Sequence, residues 1–470
     1  MKTPVLSVPC LRRLLTIASI AAVAAISLTP SFVRAQSNSP STFAIKNGDR
    51  VVFYGDSITD SRMYSLLAEE YIVTRFPRMN VSFVHSGWGG DRVGGGGGGP
   101  INRRLDRDVS VYRPTVVTIM LGMNDGNYRA FDETIFQTYA TGYRYIAEKL
   151  KKDNPGVRLT FIQPSPFDDV TRPATVKGAY NAVMVRYGTF VQELAKSTGA
   201  GVADPNTPVV AMLTKANAAN PTEAQKIIGD RVHPGWGGHL IMAQSLLKSW
   251  NAPALVSSVT LDAQTKKADA QNAEVKQVQL APDGSLSWDA LEGSLPFPIL
   301  PPDLRNAASY NLALTSSDFV DTLDREMLTV RNLSAANYTL KIDDLVVGDF
   351  TKEQLAAGVN LAPLATPMLR QAQIVHTLTQ MRANLHNARW RELQVPNEKE
   401  AAAQPLLPAV MKNLDVASDD LAKAQRAAAQ PRPHRFVLVP KSSFIKIFSM
   451  DLTVRVGKCA DGHTVDSLTP

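Results

Sequence analysis

Four short segments of this sequence hold groups that a single acyl-transfer reaction would use together. Gly55-Asp56-Ser57 supplies a hydroxyl, which becomes a nucleophile once a base removes its proton. Asp230-Arg231-Val232-His233 supplies that base, with a carboxylate three residues before it. This spacing lets Asp230 fold back on the imidazole, fix its tautomer and stabilise its charged form. Gly122-Met123-Asn124-Asp125 offers a side-chain amide, and Gly87-Trp88-Gly89-Gly90-Asp91 offers a backbone N–H with no side chain in its way. A tetrahedral oxyanion needs such donors, and losing one costs about 10²–10³ in rate. Each segment also has a plainer reading. Gly-Asp-Ser is also what a turn with a capping serine looks like, and Asn124-Asp125 what ends many strands. A lone histidine is usually a satisfied core or polar residue, and that reading suits His85, His239, His376, His386, His434 and His463.

Position along the chain sets the four segments apart. Continuous apolar, largely β-branched runs at 51–54, 81–84, 116–121, 159–162 and 201–203 predict strands buried on both faces, as in a parallel sheet. Helical spacing over 61–76, 133–152, 175–197 and 237–250 alternates with them. The order predicts a doubly wound, flavodoxin-like three-layer α/β/α domain with a parallel sheet over residues 49–252, with ligands at the carboxyl ends of its strands. Ser57 follows the first of these strands and lies near a helix N-terminus, where free N–H groups favour developing negative charge. The glycine segment follows the second strand and Asn124 the third, while Asp230 and His233 precede the last helix. The fold would bring all four to one rim.

In these residues the sequence resembles the SGNH/GDSL hydrolase family, whose four blocks match Gly55-Asp56-Ser57, the Gly-Gly-Asp segment, Gly122-x-Asn124-Asp125 and Asp230-x-x-His233. The resemblance covers about 49–250 and implies a carboxylic ester hydrolase without a cofactor. It makes Ser57 the nucleophile, His233 the base and Asp230 its orienting acid. Gly90 and Asn124 would join the Ser57 N–H in the oxyanion hole, with Gly87 and Gly89 as competitors for the place of Gly90. Members often cleave acetyl or short acyl esters on carbohydrates, so the expected partner is a small-molecule or glycan ester. Two other readings are a lipolytic esterase or lysophospholipase, and a noncatalytic carbohydrate-binding protein that keeps the fold.

The glycine run 94–99 lacks the lysine and hydroxyl of a phosphate-binding loop and reads as a mobile loop beside the cleft. No metal is expected, because His233, His239 and Asp230 lack further clustered ligands. Trp88 and Trp236 flank the blocks, either as a sugar-stacking wall or as packing. After residue 252 short alternating runs at 256–261, 274–280, 286–288, 328–330 and 338–342 predict an antiparallel, sandwich-like β module. Two helices follow, one opened by Thr366-Pro367 and running to about Trp390, the other near 408–430. This accessory region, 253–435, is expected to pack beside the cleft and shape access to it. Pro431-Arg432-Pro433 is expected to close the ordered chain, and 436–470 stays unassigned.

Residues 1–35 read as a secretory signal: Lys2, Arg12 and Arg13 precede an apolar run, and Val33-Arg34-Ala35 offers a cleavage site. Residues 36–48 then read as a linker. An uncleaved anchor competes, although the apolar run is shorter than the roughly 20 residues a span requires. Arg12-Arg13 also fits a twin-arginine route poorly, and either route implies a secreted or periplasmic protein. The signal holds four of the basic residues behind the net charge of +7, so a mature chain at +3 gives no footprint for nucleic acid. Cys459 alone would survive cleavage at 35, which rules out an internal disulfide in the mature chain. With 44% hydrophobic residues, the chain can bury cores instead.

Overall fold

The computed structural model describes residues 42–299 and 306–441. The expected signal, Cys10, Cys459, His463 and the tail from 442 lie outside the described residues. Five strands, β1 (Arg50–Gly55), β2 (Ser82–Gly87), β3 (Val116–Met120), β4 (Arg158–Ile162) and β5 (Gly201–Ala203), form one wholly parallel sheet. Their order is β2-β1-β3-β4-β5, so the chain changes direction across the sheet between β1 and β3. In such a sheet that point opens a crevice at the carboxyl ends.

Helices cover both faces, as the alternation of side chains requires. Phe53 of β1 meets Tyr64 of α2 (Met63–Arg75), and Thr160 of β4 accepts the indole N–H of Trp250 at the end of α8 (Trp236–Ser249). Tyr54 and Phe161 point the other way, onto Arg104 of α3 (Ile101–Asp108) and Tyr143 of α4 (Glu133–Asp153). Helices α5 (Tyr180–Thr198), α6 (Asn206–Ala219) and α7 (Pro221–Ile227) complete the layers.

The helix expected over 61–76 is α2, one unbroken helix, and a separate turn precedes it. That turn, α1 (Ser57–Asp60), starts directly after β1, and Arg62 at φ +65° separates it from α2. Helix α3 has no apolar stripe to betray it, because its buried face is made by Arg104, Leu105 and Asp108. The glycine run, expected as a mobile loop, forms a short hairpin, Gly95–Gly96 paired with Gly99–Pro100. The expected linker is packed from Phe43 onward: its ring stacks on Phe76, and Ile45 is buried.

Beyond α8 lie β6 (Leu255–Asp262), β7 (Ala268–Gln271), β8 (Ala273–Leu280), β9 (Leu286–Glu292), β10 (Arg325–Arg331), β11 (Asn337–Ile342), β12 (Leu345–Thr351), β13 (Val359–Asn360) and β14 (His434–Pro440). One sheet runs β8-β9-β14-β11-β12, the other β13-β10-β6-β7. Residues alternate in and out along β9, β10 and β11, and Trp288, Leu328, Tyr338 and Leu340 join one buried cluster. Two expectations fail here. β10 pairs parallel with β6, so the region is not wholly antiparallel. Order does not end at Pro433 either, because β14 fills the centre of its sheet and runs through the expected boundary at 435/436. Pro431-Arg432-Pro433 simply turns the chain into that strand.

Between the strands lie α9 (Ala307–Thr315), α10 (Phe319–Leu323) and α11 (Lys352–Ala357). Thr366 caps α12 (Pro367–Asn387), which packs on α2 and on α13 (Leu407–Ala428). It continues as a π-helical stretch, Ala388–Gln394.

Candidate active site

The segment Gly55–Ser57 is shaped by close contacts. A Cβ on Gly55 would lie 2.3 Å from Thr59 Oγ1, so only glycine lets β1 pass straight into α1. Asp56 caps that turn, its Oδ1 accepting the Ile58 N–H at 3.0 Å. Burial pushes the Asp56 carboxyl up to about 7. Ser57 is left at the first position of α1, half-buried, at the carboxyl end of β1.

The structure brings Ser57, His233 and Asp230 into one line of hydrogen bonds. Ser57 Oγ and His233 Nε2 are 2.8 Å apart, and His233 Nδ1 and Asp230 Oδ2 are 2.6 Å apart. The other oxygen of Asp230 accepts the backbone N–H groups of Val232 and His233, at 2.9 and 2.8 Å. Burial alone would raise this carboxyl, but the bonds from His233 and Val232 hold it below its ordinary value. It is therefore ionised wherever the imidazole needs a counter-charge. The tight return is made by Arg231 at φ +73°. The His233 and Asp230 side chains are 48% and 57% exposed, so the line stands on an open rim.

Asn124 and the glycine loop follow β3 and β2 at the strand ends that also carry Ser57. Asn124 Nδ2 gives one hydrogen to the Asp91 carbonyl at 3.1 Å and keeps a second, while its Oδ1 accepts the Tyr128 hydroxyl at 2.9 Å. Asp125 ties the same two loops together by accepting the Val93 N–H at 3.0 Å, and burial pushes its carboxyl up to about 6. Among the glycines of the second loop, Gly87 ends β2, and the Gly89 N–H is spent on Asp60 Oδ2 at 3.1 Å. The Gly90 N–H bonds to no described residue, and its φ of +77° suits glycine. Of the candidates in this loop, Gly90 keeps a free donor.

Sequence reasoning did not single out Tyr128, Asp60, Arg104 or Arg391, although all four touch these loops. Trp88 is packed: Arg391 lies 3.5 Å over its ring, and Trp390 meets it edge-on at 5.6 Å. Trp236 meets His376 edge-on at 5.9 Å. His239 is a core residue 3.3 Å from Ser61 Oγ, and burial drives its pKa down to about 3. A second serine–histidine–carboxylate set also exists. Ser65 Oγ is 2.8 Å from His85 Nδ1, and His85 Nε2 is 3.2 Å from Glu69 Oε2. All three residues are buried, so no substrate reaches them. Among the described residues no group of three or more His, Cys, Asp or Glu side chains is placed to hold a metal ion, and no helix is long and apolar enough to cross a membrane.

Residues 53–241 match the model of the GDSL-like lipase/acylhydrolase family. The chain is 24% identical over 222 residues to an acetylxylan esterase of Geobacillus stearothermophilus, taking in 43% of this chain and 94% of that protein. A solved structure of a gut microbial diltiazem-metabolizing enzyme superposes with a TM-score of 0.74 at 25% identity, covering 85% of this chain and 99% of that one. That likeness extends beyond the α/β domain into the accessory region.

Proposed function

We propose, from the premise that residues 53–241 are a GDSL-like lipase/acylhydrolase domain and the chain a carboxylic ester hydrolase, that it is an exported serine esterase for short acyl esters carried on carbohydrate. The observation behind this reading is the line Ser57–His233–Asp230, and it is supported by Ser57, Gly90 and Asn124 following the carboxyl ends of β1, β2 and β3. Ser57 Oγ attacks the ester carbonyl while His233 takes its proton, and Asp230 stabilises the imidazolium. The N–H groups of Ser57, Gly90 and Asn124 hold the tetrahedral oxygen. His233 then protonates the leaving alcohol, and water releases the acyl group from Ser57 by the same steps in reverse order.

The half-exposed His233 and Asp230 suit an ester presented on a larger molecule. The acetylxylan esterase likeness favours acetyl over long acyl chains and a glycan over a lipid. A panel of acyl-length and glycan esters tests this with wild type and Ser57→Ala. Turnover should peak at acetyl and fall by at least about 10³-fold in the variant, with a serine-directed phosphonate labelling Ser57. Undiminished turnover by Ser57→Ala overturns the serine mechanism, and a preference for long acyl chains overturns the substrate assignment.

A further inference from the structure

The π-helical stretch Ala388–Gln394 interrupts ordinary helix where α12 passes the second loop of the site. Such turns are rare and cluster at functional sites. Two of its side chains reach the groups that hold the oxyanion donors. Arg391 Nη1 donates to Asp60 Oδ1 at 3.2 Å and to the Gly87 carbonyl at 3.4 Å, with its guanidinium lying over Trp88. The remaining oxygen of Asp60 accepts the Gly89 N–H, one residue before Gly90. The buried Trp390 donates its indole N–H to Asp108 Oδ1 at 2.6 Å. Asp108 is ion-paired with Arg104, whose Nε donates to Asp91 Oδ2 at 2.7 Å. The Asp91 carbonyl in turn accepts from Asn124. Two chains of contacts thus run from adjacent residues of the accessory region, one towards Gly90 and one to Asn124.

We infer that Arg391 is a positioning residue for the oxyanion hole: it fixes the loop Trp88–Asp91 so that the Gly90 N–H stands where the tetrahedral oxygen forms. This rests on the esterase reading above. Gly89 and Gly90 are exposed and carry no side chains to anchor them. Their placement therefore depends on Asp60 and Trp88, and Arg391 grips both. Donors act on the oxyanion rather than on the ground-state carbonyl, so loosening them raises the barrier and leaves substrate affinity largely alone.

The test uses the full chain and a chromogenic acetyl ester. Arg391→Ala should lower kcat by about 10- to 100-fold, the scale of small misplacements of catalytic groups, with KM within about threefold of wild type. Arg391→Lys, which restores a cation on Asp60, should recover most of the loss, and added guanidinium ion should partly rescue Arg391→Ala. Should Arg391→Ala not fold, Arg391→Gln keeps a side chain over Trp88 without the charge and serves the same comparison. A kcat within threefold of wild type overturns the inference. So does a loss that neither lysine nor guanidinium restores, because a merely structural contact would behave that way. Ser57→Ala in parallel separates the two levels: if it stays active, the esterase reading fails, and if it is dead while Arg391→Ala is fully active, only this inference fails.

Discussion

Asn124 is held at both ends of its amide, by the Asp91 carbonyl and by the Tyr128 hydroxyl, which leaves one N–H uncommitted among the described residues. The hydroxyl comes at a conformational cost, because Asn127 and Tyr128 both sit at positive φ, +57° and +54°. For a bulky residue this strain is of order 1–3 kcal/mol. Tyr128→Phe keeps the ring beside Tyr180 and Phe167 and removes only the hydroxyl. Its kcat should fall about 3- to 20-fold, a fraction of what losing a whole donor costs, with KM little changed. Steady-state kinetics on the acetyl ester checks this, and an unchanged kcat would show that Asp91 orients the amide alone. The members of this site differ in how far the sequence reveals them. Ser57 and His233 announce themselves by reactive type, strand-end position and an acid three residues away. Tyr128 and Arg391 act through a bond to another side chain, and for Arg391 that partner is hundreds of residues distant.

Helix α2 was legible as a helix but not as a buried one. Twelve of its thirteen residues are buried, including Ser65, Glu69, Glu70, Thr74 and Arg75. Nothing in the sequence pairs its polar residues, because their partners come from far along the chain. Arg382 pairs with Glu69, His376 with Glu70 at 2.7 Å and Asp324 with Arg75 at 3.3 Å. The β region hides a similar arrangement. Glu292 of β9 and Glu326 of β10 are both buried, and both oxygens of Glu326 lack a hydrogen-bond partner among the described residues. Burial raises both carboxyls, and the charge of Glu292 raises Glu326 further. Because the folded values lie above the unfolded ones, their stabilising contribution is complete below the ordinary glutamate range. It is lost as pH rises through the folded values. Glu326→Gln should therefore raise the melting temperature by roughly 2–4 °C at pH 8 and by much less at pH 5. Equal shifts at the two pH values would refute the assignment.

At the scale of the molecule, the α/β domain and the region after it share a boundary made of charges. The Geobacillus acetylxylan esterase is matched over 94% of its length by 43% of this chain, so a domain of this kind exists elsewhere without such a partner. Here, removal of everything after Ala252 would take Arg382, His376 and Asp324 from Glu69, Glu70 and Arg75. It would also strip α12 from α2 and α9 from α8, baring the helix faces they cover, and a whole domain has only about 5–15 kcal/mol to lose. Residues 42–252 expressed alone should be insoluble or show no cooperative melt, and a soluble, active fragment would contradict this. The position of β14 has a consequence in time rather than in space. It bonds to residues 286–290 on one side and 338–342 on the other, joining the hairpins β8–β9 and β11–β12 into one sheet. While the chain is being made, those hairpins wait with open edges until residue 440 has left the ribosome, so the sheet closes well after both hairpins have been synthesised. A chain interrupted earlier carries two unpaired strand edges, the surface on which chains adhere to one another. The chain therefore stays short of its native sheet for as long as β14 is still being made.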